Sequence, residues 1–354
     1  MFSGDLTVTP NLYEFTMPIV AVKTAPEKES LNGVPDLMVL KNPDGLAWKD
    51  FRRQLKPDFG VVIANIFFSW SMIALGVLGF AALNLLRVNW LPYAFIPFGG
   101  LWFAFWMQSY SSHFHESAHF NFAPRHLNDS LSRIFLTPFI GLDVKSYRIS
   151  HWQHHRFLGD PRDTEISYHE PLTLQRILEG FSGLYLLRSL ARYLRNYRRT
   201  GQMPAAPGRE TSKAFFFLPI AYAFCVQSVI LFLLYRFISL PAALAWGSGL
   251  LLFGSFLSIL RQTLEHRSLD APEGIDFKKV PHGAVNRLFG CDLFSRNFGG
   301  AGFNRHLLHH WDPNISYTCF DELETFLLET AAHDEMERQR TTYWKAFREM
   351  FRWS

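Results

Sequence analysis

Four long apolar stretches constrain this chain more than any other feature of its sequence. They run from about Val61 to Leu86, Trp90 to Tyr110, Ala214 to Ile238 and Pro241 to Leu260, and none contains Lys, Asp or Glu. Each has the roughly 20 residues that an α-helix needs to cross a bilayer. Buried helices of a soluble core are the alternative. Two closely spaced pairs of such stretches favour membrane spans, as does a composition with only 19% charged residues.

The two pairs predict two helical hairpins. Residues 87–89 separate the first two stretches, and residues 239–240 separate the other two. The polar regions before, between and after the hairpins therefore share one side of the membrane. All but two of the 35 Lys and Arg residues, Arg87 and Arg236, fall in these regions, which the positive-inside rule places in the cytoplasm. The sequence thus predicts an all-α integral membrane protein with four transmembrane helices in two hairpins and a cytosolic helical cap.

This topology divides the chain into five segments. They are a cytosolic N-terminal segment (1–60), a first hairpin (61–110), a cytosolic region (111–213), a second hairpin (214–260) and a cytosolic C-terminal region (261–354). Within the third segment, Leu172 to Tyr197 has apolar residues at helical spacing and several arginines. This pattern predicts either an amphipathic helix in the membrane interface or a packed surface helix.

Bulk properties exclude several other classes. The net charge of +4 is too small and too dispersed for a nucleic-acid-binding protein. The three cysteines lie far apart, which argues against a disulfide framework and favours a reducing compartment. Residues 1–56 lack the short apolar core of a signal peptide.

Nine of the 14 histidines occur at spacings that suit metal binding. His115 and His119 follow the second apolar stretch, and His266 follows the fourth. Two further groups share an i, i+3, i+4 pattern: His151, His154 and His155, and His306, His309 and His310. Residues at these spacings share one face of an α-helix, so each group can direct its imidazoles at one point. Neutral imidazole binds iron, zinc, copper and nickel.

The number of imidazoles indicates two ions. A zinc site uses about four ligands, so nine histidines shared by two ions give four or five each and leave room for dioxygen or water. A redox metal is favoured because the surroundings are apolar and hold no evident hydrolytic nucleophile. The other histidines are isolated and are expected to be structural: His113, His126, His169, His282 and His333.

These features resemble the membrane fatty acid desaturase superfamily. Its three histidine boxes, H-x(3,4)-H, H-x(2,3)-H-H and H-x(2,3)-H-H, occur here in order around two hairpins, from about Val61 to about Phe326. The resemblance implies two Fe ions in a non-haem di-iron centre that uses O2 to attack a C–H bond, and thus an oxidoreductase that desaturates a fatty acyl or other lipid chain. It implies nine ligands: His115, His119, His151, His154, His155, His266, His306, His309 and His310.

Residues around the boxes are candidates for supporting roles. Some family members carry Asn four residues before the histidine that matches His266, and reach iron through water. Gln262 occupies that position here, which is a departure. Tyr147 and Arg148 resemble an aromatic–basic pair often found before the second box.

Carboxylates near the boxes are candidate hydrogen-bond partners of the ligands, because metal-bound histidines usually donate their other N–H to a carboxylate or carbonyl. The candidates are Asp160, Asp163, Glu165 and Asp312, although Asp160 also suits a simple turn. Glu116 and Glu265 each precede a ligand, and helical geometry is expected to turn them away from the ligand face.

The resemblance also implies partners: a lipid or acyl substrate, O2, the membrane, and a separate electron carrier of the ferredoxin, rubredoxin or cytochrome b5 type. The chain has no Gly-x-Gly-x-x-Gly fingerprint and no His-Pro-Gly-Gly haem motif. A basic face that includes Arg192 and Arg195 is expected to attract an acidic carrier. The lack of a fused carrier and of an evident endoplasmic reticulum signal favours a bacterial inner membrane.

Three other functions stay open. A lipid or carotenoid hydroxylase or ketolase would have the same boxes. A membrane zinc protease would use His115-Glu116-Ser-Ala-His119 as H-E-x-x-H, with Glu116 as general base, but it leaves most clustered histidines unexplained. A metal transporter or sensor would be expected to have polar groups inside the spans. Metal content separates these functions, since they require two irons, one zinc or loosely held ions.

Overall fold

The computed structural model describes residues 35–185, 187–188, 191 and 213–353. The helices are α1 (Trp48–Arg52), α2 (Phe59–Leu85), α3 (Leu91–Ala94), α4 (Ile96–Ala118), α5 (Arg125–Phe135), α6 (Thr137–Ile140), α7 (Val144–Phe157), α8 (Leu174–Phe181), α9 (Lys213–Phe237), α10 (Leu240–Ser248), α11 (Gly254–His266), α12 (Leu293–Phe298), α13 (His306–Trp311), α14 (Phe320–Leu328), α15 (His333–Gln339) and α16 (Tyr343–Met350). A π-helical turn, Gly249–Phe253, joins α10 to α11, and short 3-10 turns occur at Leu37–Val39, Ser167–His169, Phe303–Arg305 and Tyr317–Cys319. These residues contain isolated β-bridges but no strand, so the all-α prediction is confirmed for the described part of the chain.

Among the described residues, three helices are long and apolar enough to cross a membrane. They are Phe59–Leu85, Phe217–Phe237 and the continuous helix Leu240–His266. They correspond to the first, third and fourth predicted spans, and the last extends beyond its predicted end at Leu260. This extension carries the helix directly into His266, so one helix joins the apolar layer to the histidines.

The second predicted span, Trp90 to Tyr110, is not among these helices, and the prediction of four spans is therefore not confirmed. Here the chain forms α3 and α4 with a break at Phe95. The second half of α4 carries polar residues such as Gln108, Ser109 and Ser112, and most of it is buried. These polar residues set α4 apart from the three apolar helices, and α4 packs against α2, α7, α10 and α11.

Glycines allow this central helix to approach its neighbours closely. A Cβ atom on Gly249 would lie only 2.8 Å from the carbonyl oxygen of Gly100 and 2.9 Å from Phe103 Cβ. On the other side of α4, Trp102 donates to the carbonyl of Met72 at 2.6 Å. Small residues let helix backbones approach one another within membranes. Here they bring α4 close to the helix that contains Gly249.

We expect Gly249→Ala to destabilise the protein, because the new methyl group meets backbone rather than a movable side chain. Overpacking of this kind costs about 1–3 kcal/mol. The readout is the midpoint of thermal unfolding in detergent. Gly79→Ala is the matched control, since nothing lies within 4 Å of a Cβ at that helical position. Equal midpoints for the two variants would show that the contact is not tight.

A second apolar core supports the last histidine helix. It joins Trp48 of α1 to residues of α13, α14 and α15, including Leu307, Leu308 and Phe326. Leu307 and Leu308 are buried on one side of α13, so the histidines of the His-Leu-Leu-His-His sequence are left for the other side. Within the segment Leu172 to Tyr197, α8 covers Leu174–Phe181, and the described residues 184–185, 187–188 and 191 are also helical. Arg192 and Arg195 lie outside the described residues.

Candidate metal centre

All nine clustered histidines meet in one place. Four helices supply them: α4 with the residue that follows it, α7, α11 and α13. Two local features fix the helix ends. Asp143 caps the start of α7 by accepting from the backbone N–H of Lys145 at 2.9 Å. Arg148 donates to the carbonyl of Ala118 at 2.8 Å and so binds the C-terminal end of α4 immediately before His119.

The nitrogens form two adjacent groups. In the first, His115, His119, His151, His155 and His309 each offer one nitrogen, and these atoms lie within 4.8 Å of one another. The second consists of two overlapping sets at the same limit: His154, His266 and His310, and Glu265, His266 and His306. Five histidines therefore form one group, and the other four fall in the two overlapping sets beside it.

The separations within the groups are those of nitrogens that face a shared ion. Two nitrogens each about 2.1 Å from one ion, at a right angle, lie about 3.0 Å apart. The Nε2 atoms of four pairs are 2.9–3.1 Å apart: His151 and His155, His155 and His309, His266 and His306, and His306 and His310.

Several ring nitrogens are buried without any hydrogen-bond partner in the described structure. Both nitrogens of His115 and both of His119 are in this state. Buried polar groups without a partner are rare in proteins, and a bound ion would satisfy these nitrogens. The residues present therefore fit a metal centre of the all-histidine kind.

Burial keeps most of these imidazoles neutral, which is the form that binds metal. Burial, and then the neighbouring imidazoles, hold the pKa values of His155, His309 and His310 well below the ordinary value. His154 differs. Burial opposes its charged form, but the carboxylates of Glu165 and Asp163 outweigh this effect and raise its pKa.

Two carboxylates accept from the outer nitrogens of α7. His154 Nδ1 lies 2.9 Å from Asp163 Oδ1, and His151 Nδ1 lies 2.7 Å from Glu165 Oε1. Burial would raise the pKa of Glu165, but the charges of His154 and His151 reverse this and hold it well below its usual range. Such partners fix the ring orientation of a metal ligand.

These carboxylates are themselves held in place. Tyr168 OH donates to Asp163 Oδ2, and Tyr147 OH donates to Glu165 Oε1 at 3.2 Å. Gln262 Nε2 donates to Glu165 Oε2 at 2.8 Å. Gln262 therefore contacts Glu165, the carboxylate that accepts from His151. The resemblance instead implies that a residue at this position reaches the metal through water.

The sequence predicts that Glu116 and Glu265 turn away from the ligand face of their own helices, and in the structure both carboxylates lie close to clustered histidines. Glu116 Oε1 lies 3.3 Å from His309 Nδ1 and 3.4 Å from His115 Nδ1. Glu265 Oε2 lies 3.9 Å from His306 Nε2. Each also lies beside a ligand of its own helix: Glu116 beside His115, and Glu265 beside His266. His309 and His306 of α13 also reach these carboxylates, a long-range contact that spacing along one helix does not reveal.

The remaining predicted residues lie further from the cluster or serve other contacts. Asp160 accepts from Arg162 at 2.7 Å, and Asp312 pairs with Arg52. His113 is buried and lies 2.7 Å from the carbonyl of Ser109, while His333 is exposed and contacts Asp334. No isolated histidine belongs to either group, as expected for structural residues.

The arrangement of Glu116 also bears on the protease hypothesis. Its side chain is fully buried and accepts from Asn121 Nδ2 at 3.1 Å. A carboxyl group that accepts from Asn121 and lies beside His309 Nδ1 suits the positioning of a ligand.

Comparison with known families agrees with this geometry. Residues 89–345, which include all three boxes and His266, match the family model described as fatty acid desaturase. No curated protein matches the chain.

Proposed function

Because this chain belongs to the fatty acid desaturase family, we propose that it introduces a double bond into the hydrocarbon chain of a lipid, with O2 as oxidant. The family and the three apolar helices support an integral membrane oxidoreductase. The distribution of Lys and Arg supports a cytoplasmic position for the histidine end. The proposed reaction removes two hydrogens from the substrate and, with two electrons and two protons, reduces O2 to two waters.

The observation that carries this proposal is the meeting of nine buried histidines in two adjacent groups. Two Fe ions would be held by His115, His119, His151, His155 and His309, and by His154, His266, His306 and His310. When bound, such a centre supplies the oxidising power that an unactivated methylene requires. The chain's own part is to hold the nine imidazoles, orient His154 and His151 through Asp163 and Glu165, and exclude water by burial.

Mass spectrometry of total lipids from a host that expresses the chain tests the reaction, beside iron quantification on the purified protein. We expect a lipid that lacks two hydrogens and about two irons per chain, a stoichiometry that follows from one ion per group. A lipid that gains one oxygen would instead identify a hydroxylase. One zinc and no iron would overturn the proposal.

An external one-electron carrier completes the proposal, and Trp152 is where its electron would enter. The indole is 38% exposed, and its ring centroid lies 5.0 Å from that of His119 and 5.8 Å from that of His155. It is therefore an aromatic contact between the surface and the first histidine group. Trp152 belongs to α7, and the exposed Lys145 and Arg156 lie on the same helix. Their positive charges suit the binding of an acidic carrier.

We expect Trp152→Leu to slow the oxidation of reduced ferredoxin by the iron-loaded protein several-fold, because the aromatic contact with the histidines is lost. The measurement is stopped-flow absorbance of the ferredoxin. Trp344→Leu is the control, since Trp344 is exposed on α16 and stacks on Phe347. The same rate in both variants would exclude Trp152 as the entry point.

A further inference from the structure

A buried arginine, Arg287, holds the end of the helix that carries His266. Its side chain is only 7% exposed. Its Nη1 donates to the carbonyl of Leu264 at 3.0 Å, and its Nη2 donates to the carbonyl of Arg267 at 2.7 Å. These two carbonyls belong to residues on either side of His266, the last residue of α11. The guanidinium therefore fixes the part of the main chain from which this imidazole projects.

The main chain of Arg287 contacts a second histidine helix. Its carbonyl accepts from the N–H of Leu307 at 3.1 Å, and Leu307 directly follows His306 at the start of α13. The Nε2 atoms of His266 and His306 are 2.9 Å apart, although the two residues are 40 positions apart in the sequence. One residue thus connects both helices, through its side chain to α11 and through its main chain to α13.

The residues on both sides of Arg287 make contacts of the same kind. The N–H of Val285 donates to the carbonyl of His266 at 3.0 Å, and His266 Nδ1 lies 3.3 Å from the carbonyl oxygen of Val285. A carbonyl partner on the outer nitrogen fixes the ring orientation of a metal ligand. The N–H of Phe289 donates to the carbonyl of Asn304, shortly before α13, at 2.7 Å. Residues 285–289 therefore form a segment that bridges the ends of α11 and α13.

The chemistry of the Arg287 side chain suits this bridging position. A charged group is costly to bury unless it is paired, and the C-terminal end of a helix offers carbonyl groups with a partial negative charge. The guanidinium is planar and presents its donors in a rigid fork, whereas the ammonium of lysine is a single point charge on a flexible stem. Only arginine can therefore contact both carbonyls at once and hold the helix end in one orientation.

We propose that Arg287 is a positioning residue that sets the separation of His266 and His306, and thereby the affinity of the second histidine group for its ion. This role rests on the proposed function, because it concerns the iron centre of that function. The first group has a counterpart in Arg148 of α7, which donates to the carbonyl of Ala118 at the end of α4. The two arginines act on different groups, so their effects on the two ions can be separated.

Iron binding to the full-length, metal-free protein in detergent tests the proposal, with a competing chelator to resolve the dissociation constants of the two Fe²⁺ ions. We expect Arg287→Met to weaken the binding of one ion about 10- to 100-fold, the usual cost of losing a group that orients a ligand, and to leave the other ion unchanged. Arg287→Lys should cause a smaller loss, because it keeps the charge but reaches only one carbonyl.

Mössbauer spectra of the protein loaded with ⁵⁷Fe identify the ion that is affected. Arg287→Met should change the signal that His266→Ala also changes, whereas Arg148→Met should change the signal of the other ion. A residue that only stabilises the fold would not discriminate between the two ions.

Arg348→Met is the matched control, because Arg348 is exposed on α16, and the thermal midpoint of each metal-free variant is measured beside it. Equal iron binding in Arg287→Met and Arg348→Met would overturn the proposal. Equal weakening of both ions together with a lower metal-free midpoint, or failure of both Arg287 variants to fold, would assign Arg287 a structural role and also overturn it. A wild-type protein that binds no second iron would refute the proposed function itself, so the two failures are distinguishable.

Discussion

His309→Ala is expected to remove at least one iron and to lower lipid product more than about 100-fold, because even the loss of an outer partner of a metal ligand costs about 10- to 100-fold. His309 contributes to the group of five imidazoles, and its Nε2 lies 3.1 Å from that of His155. The substitution also leaves the buried carboxylate of Glu116 without its contact to His309 Nδ1. Iron per chain and lipid mass spectra are the two measurements.

His333→Ala is the matched control for this variant. Its imidazole is exposed on α15 and contacts Asp334. We expect wild-type iron content and wild-type product from His333→Ala. Full iron occupancy with normal product in His309→Ala would contradict the division of the nine histidines into two metal-binding groups.

The sequence predicts features that depend on neighbours along one helix. The spacing within His151, His154 and His155 places them on one face of α7, and the structure has them there. The same applies to α13, where Leu307 and Leu308 are buried in an apolar core. Apolar length likewise predicts α2 and α9. These are local properties, since helical periodicity and span length are both set by residues close in sequence.

Contacts between distant helices are the part that the sequence does not reveal. The second predicted span has the length of a membrane helix, but the second half of α4 is polar and buried, and the helices that cover it are not evident from the sequence. Helical spacing predicts that Glu116 and Glu265 turn away from the ligands, but His309 and His306 of α13 lie close to them. Asp160 and Asp163 are equally good candidates by position, and only the path of the loop decides between them.

Asp160 and Asp163 therefore provide the sharpest test of whether a carboxylate orients a metal-binding histidine. We expect Asp163→Asn to weaken iron binding by the group around His154, and to lower product, by about 10- to 100-fold. Asp163 accepts from His154 Nδ1 at 2.9 Å and from the backbone N–H of Glu165 at 2.9 Å. Asparagine keeps the shape of the side chain but replaces one acceptor oxygen with an N–H donor, which cannot hold the ring of His154 in the same tautomer.

Asp160→Asn is the control, because Asp160 lies in the same loop and pairs with Arg162 at the surface. The measurements are the iron dissociation constant, the lipid product and the thermal midpoint of the metal-free protein. A positioning role predicts that Asp163→Asn changes the first two while the metal-free midpoint stays close to that of Asp160→Asn. If the two variants bound iron equally, Asp163 would be a structural residue of the loop, and the orientation of His154 would have to come from its helix alone.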